Sequence, residues 1–178
     1  MDISKSKPIS TTKYLSALLS LMYIARLTRP DILLSVSFLS TKSQHPTEAG
    51  WDQIIRILRY LNNTVNYGVV INCKDLTINA YADASYTSHI DGKSHTGYIL
   101  KIGDAYLSSK SVKQRVGTLS STDAELVAAV DCLKTVIWIK ELIDEIKYLK
   151  INKIVLHQAN KSLIILLSEN TKFKWRYF

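Results

Sequence analysis

The hydrophobic pattern of the chain changes period near residue 66. Between residues 10 and 62, apolar residues recur at the three- and four-residue spacing of amphipathic helices, which predicts three helices. The third begins after Thr47, a suitable N-cap, and ends at Asn62-Asn63. We therefore expect a small helical region over residues 1–66 and a second domain over residues 67–178.

Beyond residue 66, short runs of alternating apolar and polar residues predict strands. They cover Tyr67–Asn72, Leu76–Tyr86, Gly97–Gly103, Ala105–Lys110 and Asn152–His157. The dipeptide Gly103-Asp104 suits a tight hairpin turn, so the middle strands should be antiparallel neighbours. The last strand follows a long helix, and such a crossover normally makes it parallel to the strand that it joins. The expected fold is α/β, with a mixed sheet of five or fewer strands and flanking helices.

The longest predicted helix runs from Ser120 to Ile146, and its start can be capped in two ways. Thr122 with Glu125 fits a capping box, and so does Ser120 with Asp123. In the first arrangement Glu125 folds back on the helix end, whereas in the second it is free to point elsewhere. The face that carries Glu125 also carries small residues, which would let it approach a sheet closely: Ala128, Ala129 and Cys132. A shorter helix is predicted over Asn160–Ser168.

Asp83 lies near the end of the strand predicted over Leu76–Tyr86. Alternation places it on the strand face opposite that of Ile78, Ala80 and Ala82. If the small-residue face of the long helix packs on this sheet, Glu125 can meet Asp83. A lone aspartate in a strand is more often a turn or surface residue, and that alternative stays open.

Charge directs attention to polyanionic partners. The chain has 23 Lys and Arg against 15 Asp and Glu, a net charge of +8, which favours binding to phosphate groups. The candidate contacts beside the strands are Lys93, Lys110, Lys113 and Arg115. A basic aromatic tail, Lys172–Phe178, could track a nucleic-acid backbone or could be the frayed end of a domain.

The remaining composition narrows the class of protein. A hydrophobic content of 47% is ample for a globular core, and no apolar run is long enough to predict a membrane segment. The two cysteines, Cys73 and Cys132, lack nearby partners at metal-ligand spacing, which predicts reduced thiols in an intracellular protein, cytoplasmic or nuclear.

Short motifs in a fixed order run through nearly the whole chain. In the helical region they are Leu21-Met-Tyr23, Thr28-Arg-Pro-Asp-Ile32, His45-Pro-Thr47, Ile57-Leu-Arg-Tyr-Leu61 and Tyr67-Gly68. Beyond it they are Tyr81-Ala-Asp83, Lys93-Ser-His-Thr-Gly-Tyr98, Ser108-Ser-Lys110, Leu119-Ser-Ser-Thr-Asp-Ala-Glu125 and Asn160-Lys-Ser162. In this order and spacing they resemble the Pol polyprotein of copia-type LTR retrotransposons, from the end of the reverse transcriptase into its RNase H.

The resemblance implies an RNase H-like fold that cuts the RNA strand of an RNA/DNA hybrid with two Mg²⁺ ions held by acidic residues. Mg²⁺ prefers oxygen ligands, and two ions can clamp the attacking water and the leaving oxygen. Asp83 matches the first acid of the family and Glu125 the second, so both become candidate catalytic residues and metal ligands. The helical region resembles a thumb or connection segment, and the implied partners are hybrid or other nucleic acid and possibly the rest of a polyprotein.

The chain departs from the family at the third acid. Its place, just before Asn160, is taken by Ala159, and a methyl group cannot bind a metal. The fourth acid belongs to a later segment than this chain reaches, so we expect a C-terminally truncated domain. His157 could lend a nitrogen ligand, but imidazole matches Mg²⁺ poorly. We expect weak or absent Mg²⁺ binding and impaired cleavage.

Three functions fit these observations. The first is an RNase H-type domain that was active in its ancestors and is impaired here. The second is a non-catalytic module that binds nucleic acid or another partner. The third is a decayed transposon fragment. Reverse transcription is not predicted, because the paired aspartates of the polymerase palm are not in this chain.

Overall fold

The computed structural model describes residues 6–73, 75–146 and 150–168, together with the backbone of Trp175–Arg176. The chain divides into two compact units, Met1–Val69 and Val70–Phe178. Each unit has a hydrophobic core of its own. Within the described ranges, no helix combines the length and the apolar character needed to cross a membrane.

The first unit consists of three α-helices, as predicted. They are α1 (Thr11–Leu27), α2 (Leu33–Ser40) and α3 (Glu48–Asn63). A short 3₁₀ turn, Pro30–Ile32, precedes α2, with proline at a helix start where its missing N–H is not needed. The predicted cap of α3 is confirmed, since the Thr47 hydroxyl accepts a hydrogen bond from the Gly50 amide at 3.4 Å.

Two buried side chains hold the helices of the first unit together. Tyr14 is fully buried, and its hydroxyl donates to the Leu39 carbonyl at 3.1 Å, which ties α1 to α2. The Arg29 guanidinium donates to both carboxylate oxygens of Asp31 and to the backbone carbonyl and hydroxyl of Thr64. The end of α3 is thereby fixed beside the start of α2.

The second unit is built on one mixed sheet. Its strands are β1 (Thr77–Ser85), β2 (His95–Ile102), β3 (Ala105–Lys113), β4 (Lys153–His157) and β5 (Trp175–Arg176), in the spatial order β3-β2-β1-β4-β5. β1, β2 and β3 are antiparallel neighbours, and β4 is parallel to β1, both as predicted. The tight turn between β2 and β3 contains Gly103 at φ +54°, a conformation that glycine adopts without strain.

The strand predicted over Tyr67–Asn72 is wrong. The described residues from 67 to 73 form no strand, and Val70 and Ile71 are 76% and 79% exposed. An apolar run becomes a strand only where another strand offers backbone hydrogen bonds, and this run lies at the junction of the two units. The tail Lys172–Phe178 lies outside the described residues, apart from the backbone of β5.

Two helices pack beside the sheet. α4 (Ser121–Glu145) lies on β1 and β2, and α5 (Lys161–Ser168) packs against α4. The predicted contact face is confirmed, because Ala129 and Cys132 are buried in one core with Ile78, Ala80 and Ala82, and Ala128 is fully buried as well. Small residues on both sides let the helix approach the sheet closely. This packing brings the start of α4 to the end of β1.

Candidate active site

The structure brings together the two acids that the sequence singled out. Asp83 lies near the end of β1 and is exposed, whereas Glu125 lies in the first turns of α4 and is half-buried. The two carboxyl groups lie close enough for Asp83 to raise the pKa of Glu125.

The cap of α4 decides between the two arrangements that the sequence left open. The Ser120 hydroxyl accepts a hydrogen bond from the Asp123 amide at 3.1 Å, and Ser120 is the N-cap. Glu125 is therefore not needed by a capping box with Thr122, and it turns towards Asp83 instead. The helix start is stabilised by serine, which frees the glutamate for the site.

Two side chains that directly follow strands β3 and β1 hold the start of α4 beside the end of β1 by hydrogen bonds. The Gln114 amide, which is buried, donates to the Ala124 carbonyl at 2.9 Å. The Tyr86 hydroxyl, just beyond β1, donates to the Leu119 carbonyl at 3.1 Å. The position of Glu125 is thus set by contacts on both sides of the helix start.

Gln158 completes the site, and the sequence analysis missed it. Its side chain is fully buried, and its amide donates to Glu125 at 3.2 Å. Its oxygen accepts from the amides of Ala159 and Asn160, at 2.7 and 3.2 Å. The only available signal was its position directly after β4, one residue before the lost acid, and a glutamine there is not a metal ligand of first choice.

The surroundings of Glu125 favour its protonated form. Burial raises the pKa of Glu125 to about 7, and repulsion by Asp83 and the hydrogen bond with it act in the same direction. The amides of Gln158 and Ala84 oppose the shift by donating to the carboxylate. Near neutral pH the pair therefore carries less than two full negative charges.

The residues present do not fit a site for two magnesium ions. Ala159 stands where the resemblance expects an acid, and Gln158 beside it offers an amide group that is already bonded. Among the described residues, no group of three or more His, Cys, Asp or Glu could hold a metal ion. His157 does not fill the gap, because its Nε2 lies 3.1 Å from Asn79 Oδ1 and its ring stacks on Tyr81.

The loop between β1 and β2 is held by an imidazole pair that the sequence did not suggest. His89 Nε2 lies 3.0 Å from His95 Nδ1, and His95 Nε2 lies 2.7 Å from the Ser111 hydroxyl. Burial lowers the pKa of His95 to about 4 and also lowers the pKa of His89, so neutral pH favours the uncharged form of both rings. An ion pair between Asp91 and Lys113 at 2.7 Å fixes the same loop to β3.

The predicted phosphate contacts do not form one patch. Lys110 bonds Asp131 of α4 at 2.8 Å, whereas Lys113 bonds Asp91. Residues three apart in a strand point to opposite faces, so Lys110 lies on the α4 side and Lys113 on the other. Lys93 is half-buried and Arg115 is exposed. Since strand partners share a face, the register places Lys113 on the same face as Asp83.

The second unit defines the class of protein. Three antiparallel strands, a long helical crossover and a parallel fourth strand beside the first make an α/β domain with an RNase H-like mixed sheet, preceded by a small helical region.

No protein-family profile matches the chain. A crystal structure of prototype foamy virus protease–reverse transcriptase aligns over 100% of this chain and 25% of that one, at 14% identity and a TM-score of 0.33.

Relatives identify the family. The chain is 36% identical over 134 residues to the retrovirus-related Pol polyprotein from transposon TNT 1-94 of Nicotiana tabacum, which covers 75% of this chain and 10% of that polyprotein. It is 36% identical over 145 residues to the polyprotein from transposon RE1 of Arabidopsis thaliana, covering 80% and 10%. It is 33% identical over 128 residues to secreted RxLR effector protein 161 of Plasmopara viticola, covering 71% of this chain and 90% of that protein.

At 33% identity over 90% of its length, secreted RxLR effector protein 161 belongs to one family with this chain. The retrovirus-related Pol polyproteins from transposons are homologous to the chain over a part of their length. The chain spans about a tenth of the length of the Pol polyproteins that it matches, and nearly all of the length of the effector protein.

Proposed function

We propose that residues 70–178 are the RNase H-like domain from the C-terminal part of a copia-type Pol polyprotein, that it binds nucleic-acid duplexes, and that its cleavage of RNA/DNA hybrid is strongly impaired. The observation that carries this proposal is the site itself. Asp83 and Glu125 meet as the resemblance requires, but Ala159 replaces the third acid and Gln158 occupies the neighbouring position with its amide bonded to Glu125.

Electrostatics supports weak metal binding. Carboxylates gather divalent cations through their negative charge, and the pair here has one member whose pKa is about 7. A proton on Glu125 must leave before the group can ligate an ion, so proton and metal compete. We therefore propose that Asp83 and Glu125 hold Mg²⁺ weakly and do not hold a second ion.

A nuclease and binding assay with labelled RNA/DNA hybrid tests the proposal. The full chain should shift the hybrid in a binding assay at low salt and leave its RNA strand intact with millimolar Mg²⁺ or Mn²⁺. The matched variant Asp83→Asn should bind at least as well, because it removes one negative charge near the duplex. Metal-dependent cleavage that Asp83→Asn abolishes would overturn the impairment, and no binding at low salt would overturn the binding role.

Magnesium binding can be measured without any nuclease activity. Ala159→Asp places a third carboxyl group beside the pair, so this variant should unfold at a lower temperature than the wild type when a chelator is present. It should also gain more thermal stability than the wild type from millimolar Mg²⁺. The control is Ala159→Asn, which has nearly the same size without the charge. Equal responses of all three proteins to Mg²⁺ would show that position 159 does not face a metal site.

A second candidate function is a non-catalytic protein-interaction module. The observation that favours it is the 90% coverage of a relative that is named an effector protein, in contrast to the 10% coverage of the Pol polyproteins. The hybrid-binding assay separates the two candidates, because an interaction module has no requirement for nucleic-acid binding and would leave the hybrid unshifted at low salt.

A further inference from the structure

We propose that the groove between α2 and α3 of the first unit binds an amphipathic helix whose apolar stripe is flanked by Asp or Glu. All residues that line the groove belong to the unit Met1–Val69. Its volume is about 640 Å³. The walls are formed by Leu34 and Phe38 on one helix and by Ile57 and Tyr60 on the other.

The sequence of α2 indicates that its outer side is covered by another apolar surface. One side of α2 carries Leu33, Val36 and Leu39, which are buried in the core of the unit. The side that lines the groove carries Leu34, which is 55% exposed, and Phe38. A surface helix normally turns a polar face outward, whereas the outer side of α2 carries these two apolar residues with only Ser35 between them. On that side Leu34 keeps more than half of its surface exposed.

The charges at the rim define the chemistry of the occupant. Lys42 at the end of α2 and Arg56 on α3 line the groove from opposite sides. Neither makes an ion pair with any residue that the structure describes. Asp31, the acid at the groove, is bound by Arg29 and by the Tyr60 hydroxyl at 2.9 Å. The available rim charge is therefore positive, and an occupant with carboxylates on both sides of its apolar stripe complements it.

A helix suits this groove better than an extended peptide does. The walls are two helices, and side chains of a third helix can enter the channel between them with anchors at i, i+3, i+4 and i+7. An extended peptide binds by adding a strand, which needs a row of unpaired backbone groups. The walls offer no such row, because in each helix the backbone groups are hydrogen-bonded within that helix. Apolar anchors and a cationic rim together specify an acidic amphipathic helix.

The experiment uses the full chain and two synthetic helical peptides. One has Leu at the four anchor positions flanked by Glu, and the other is identical except that every Glu is Lys. Fluorescence anisotropy should show the acidic peptide binding at least about tenfold more tightly than the basic one, with a difference that shrinks as salt rises. Absence of binding by the acidic peptide, or equal affinities for both, would overturn the proposal.

Three variants locate the binding. Lys42→Glu combined with Arg56→Glu should reverse the preference, so that the basic peptide binds more tightly. Leu34→Asp should weaken both peptides by about tenfold or more, whereas Leu58→Asp should have little effect, because Leu58 is 45% exposed on α3 and does not line the groove. Circular dichroism verifies that each variant is folded. An unchanged preference in the charge-reversed variant would overturn the assigned site.

Two other occupants of the groove, a second copy of the chain and a nucleic acid, would give different experimental results. A dimer in analytical ultracentrifugation that Leu34→Asp dissociates would show that a second copy of the chain covers the groove, and it would overturn the assignment to an acidic helix. Binding of an oligonucleotide that Lys42→Glu abolishes and that competes with the acidic peptide would overturn it in favour of nucleic acid.

Discussion

Glu125 is the residue whose ionisation should dominate the pH dependence of stability. Its pKa rises from 4.5 to about 7 on folding, so the folded state binds more protons between these values. Its stabilising contribution is complete below about pH 4.5 and is lost as pH rises through 7. At higher pH the folded protein must hold two carboxylates side by side, at a cost set by burial and repulsion.

We predict that Glu125→Gln stabilises the protein at alkaline pH. With a chelator present, the variant should gain about 1–3 kcal/mol in free energy of unfolding at pH 8 and almost nothing at pH 4, because glutamine has no charge to bury. Urea unfolding at several pH values measures the difference. Glu141→Gln, an exposed acid on the same helix, is the control and should change stability little at any pH. A destabilised Glu125→Gln protein at pH 8 would contradict this account.

Gln158 should matter more for folding than its polarity suggests. It bonds Glu125 and two backbone amides from a fully buried position. Gln158→Ala leaves these groups without partners and opens a cavity, so we expect a loss of about 2–4 kcal/mol. Denaturant unfolding checks the value against Gln53→Ala, an exposed glutamine on α3 whose loss should cost under about 0.5 kcal/mol. Similar effects of the two substitutions would show that the buried hydrogen bonds contribute nothing.

At the scale of elements, the cap of α4 makes a prediction of its own. The Ser120 hydroxyl bonds the Asp123 amide, so Ser120→Ala should cost about 1 kcal/mol. Thr122→Ala should cost less, because Thr122 does not cap the helix. Thermal unfolding of the two variants gives the comparison. A larger loss for Thr122→Ala would favour the alternative capping box and would withdraw Glu125 from the site.

The helices and strands show which sequence signals were sufficient to predict secondary structure. Four features were predicted correctly because each depends on local spacing: the helical repeat of the first unit, the Thr47 cap of α3, the hairpin turn at Gly103 and the long crossover helix. The strand predicted over Tyr67–Asn72 failed because strand formation needs a partner that local sequence does not reveal. The contact between Asp83 and Glu125 was anticipated only as one of two arrangements, because the choice depends on which hydroxyl caps α4.

Local sequence does not reveal partners that are distant in the chain, and this also explains why some residues of the site were not predicted. Gln158 and the pair His89–His95 become significant only when the sheet brings distant segments together. The ion pairs of Lys110 and Lys113 likewise join residues far apart in the chain. The charges were visible in the sequence, but their partners were not.

At the scale of the whole molecule, the excess of positive charge makes hybrid binding dependent on salt. The logarithm of affinity should fall linearly with the logarithm of salt, with a slope near −0.9 for each phosphate neutralised on duplex DNA. A filter-binding titration over increasing salt measures the slope for the hybrid. An affinity that does not change with salt would rule out a phosphate-based interface.

Two single lysine substitutions should reduce the salt dependence of hybrid binding by different amounts. Lys113 shares a sheet face with Asp83, so Lys113→Ala should reduce the slope by about 1. Lys110→Ala should leave the slope nearly unchanged, because Lys110 lies on the α4 side of the sheet, opposite the face that carries Asp83. Both variants remove one lysine from the same strand and one ion pair with an aspartate, so each is a control for the other. A larger effect of Lys110→Ala would place the duplex on the other face of the sheet.

The parallel pairing of β1 with β4 imposes an order of events on a chain that emerges from the ribosome. The three helices of the first unit are complete by residue 63, and their contacts are local, so they can assemble early. β1 has its antiparallel neighbour β2 by residue 102, and β3 follows by residue 113, yet the other edge of β1 waits for residues 153–157. Until then the nascent sheet presents an open strand edge, which is a surface that chaperones protect and through which chains aggregate.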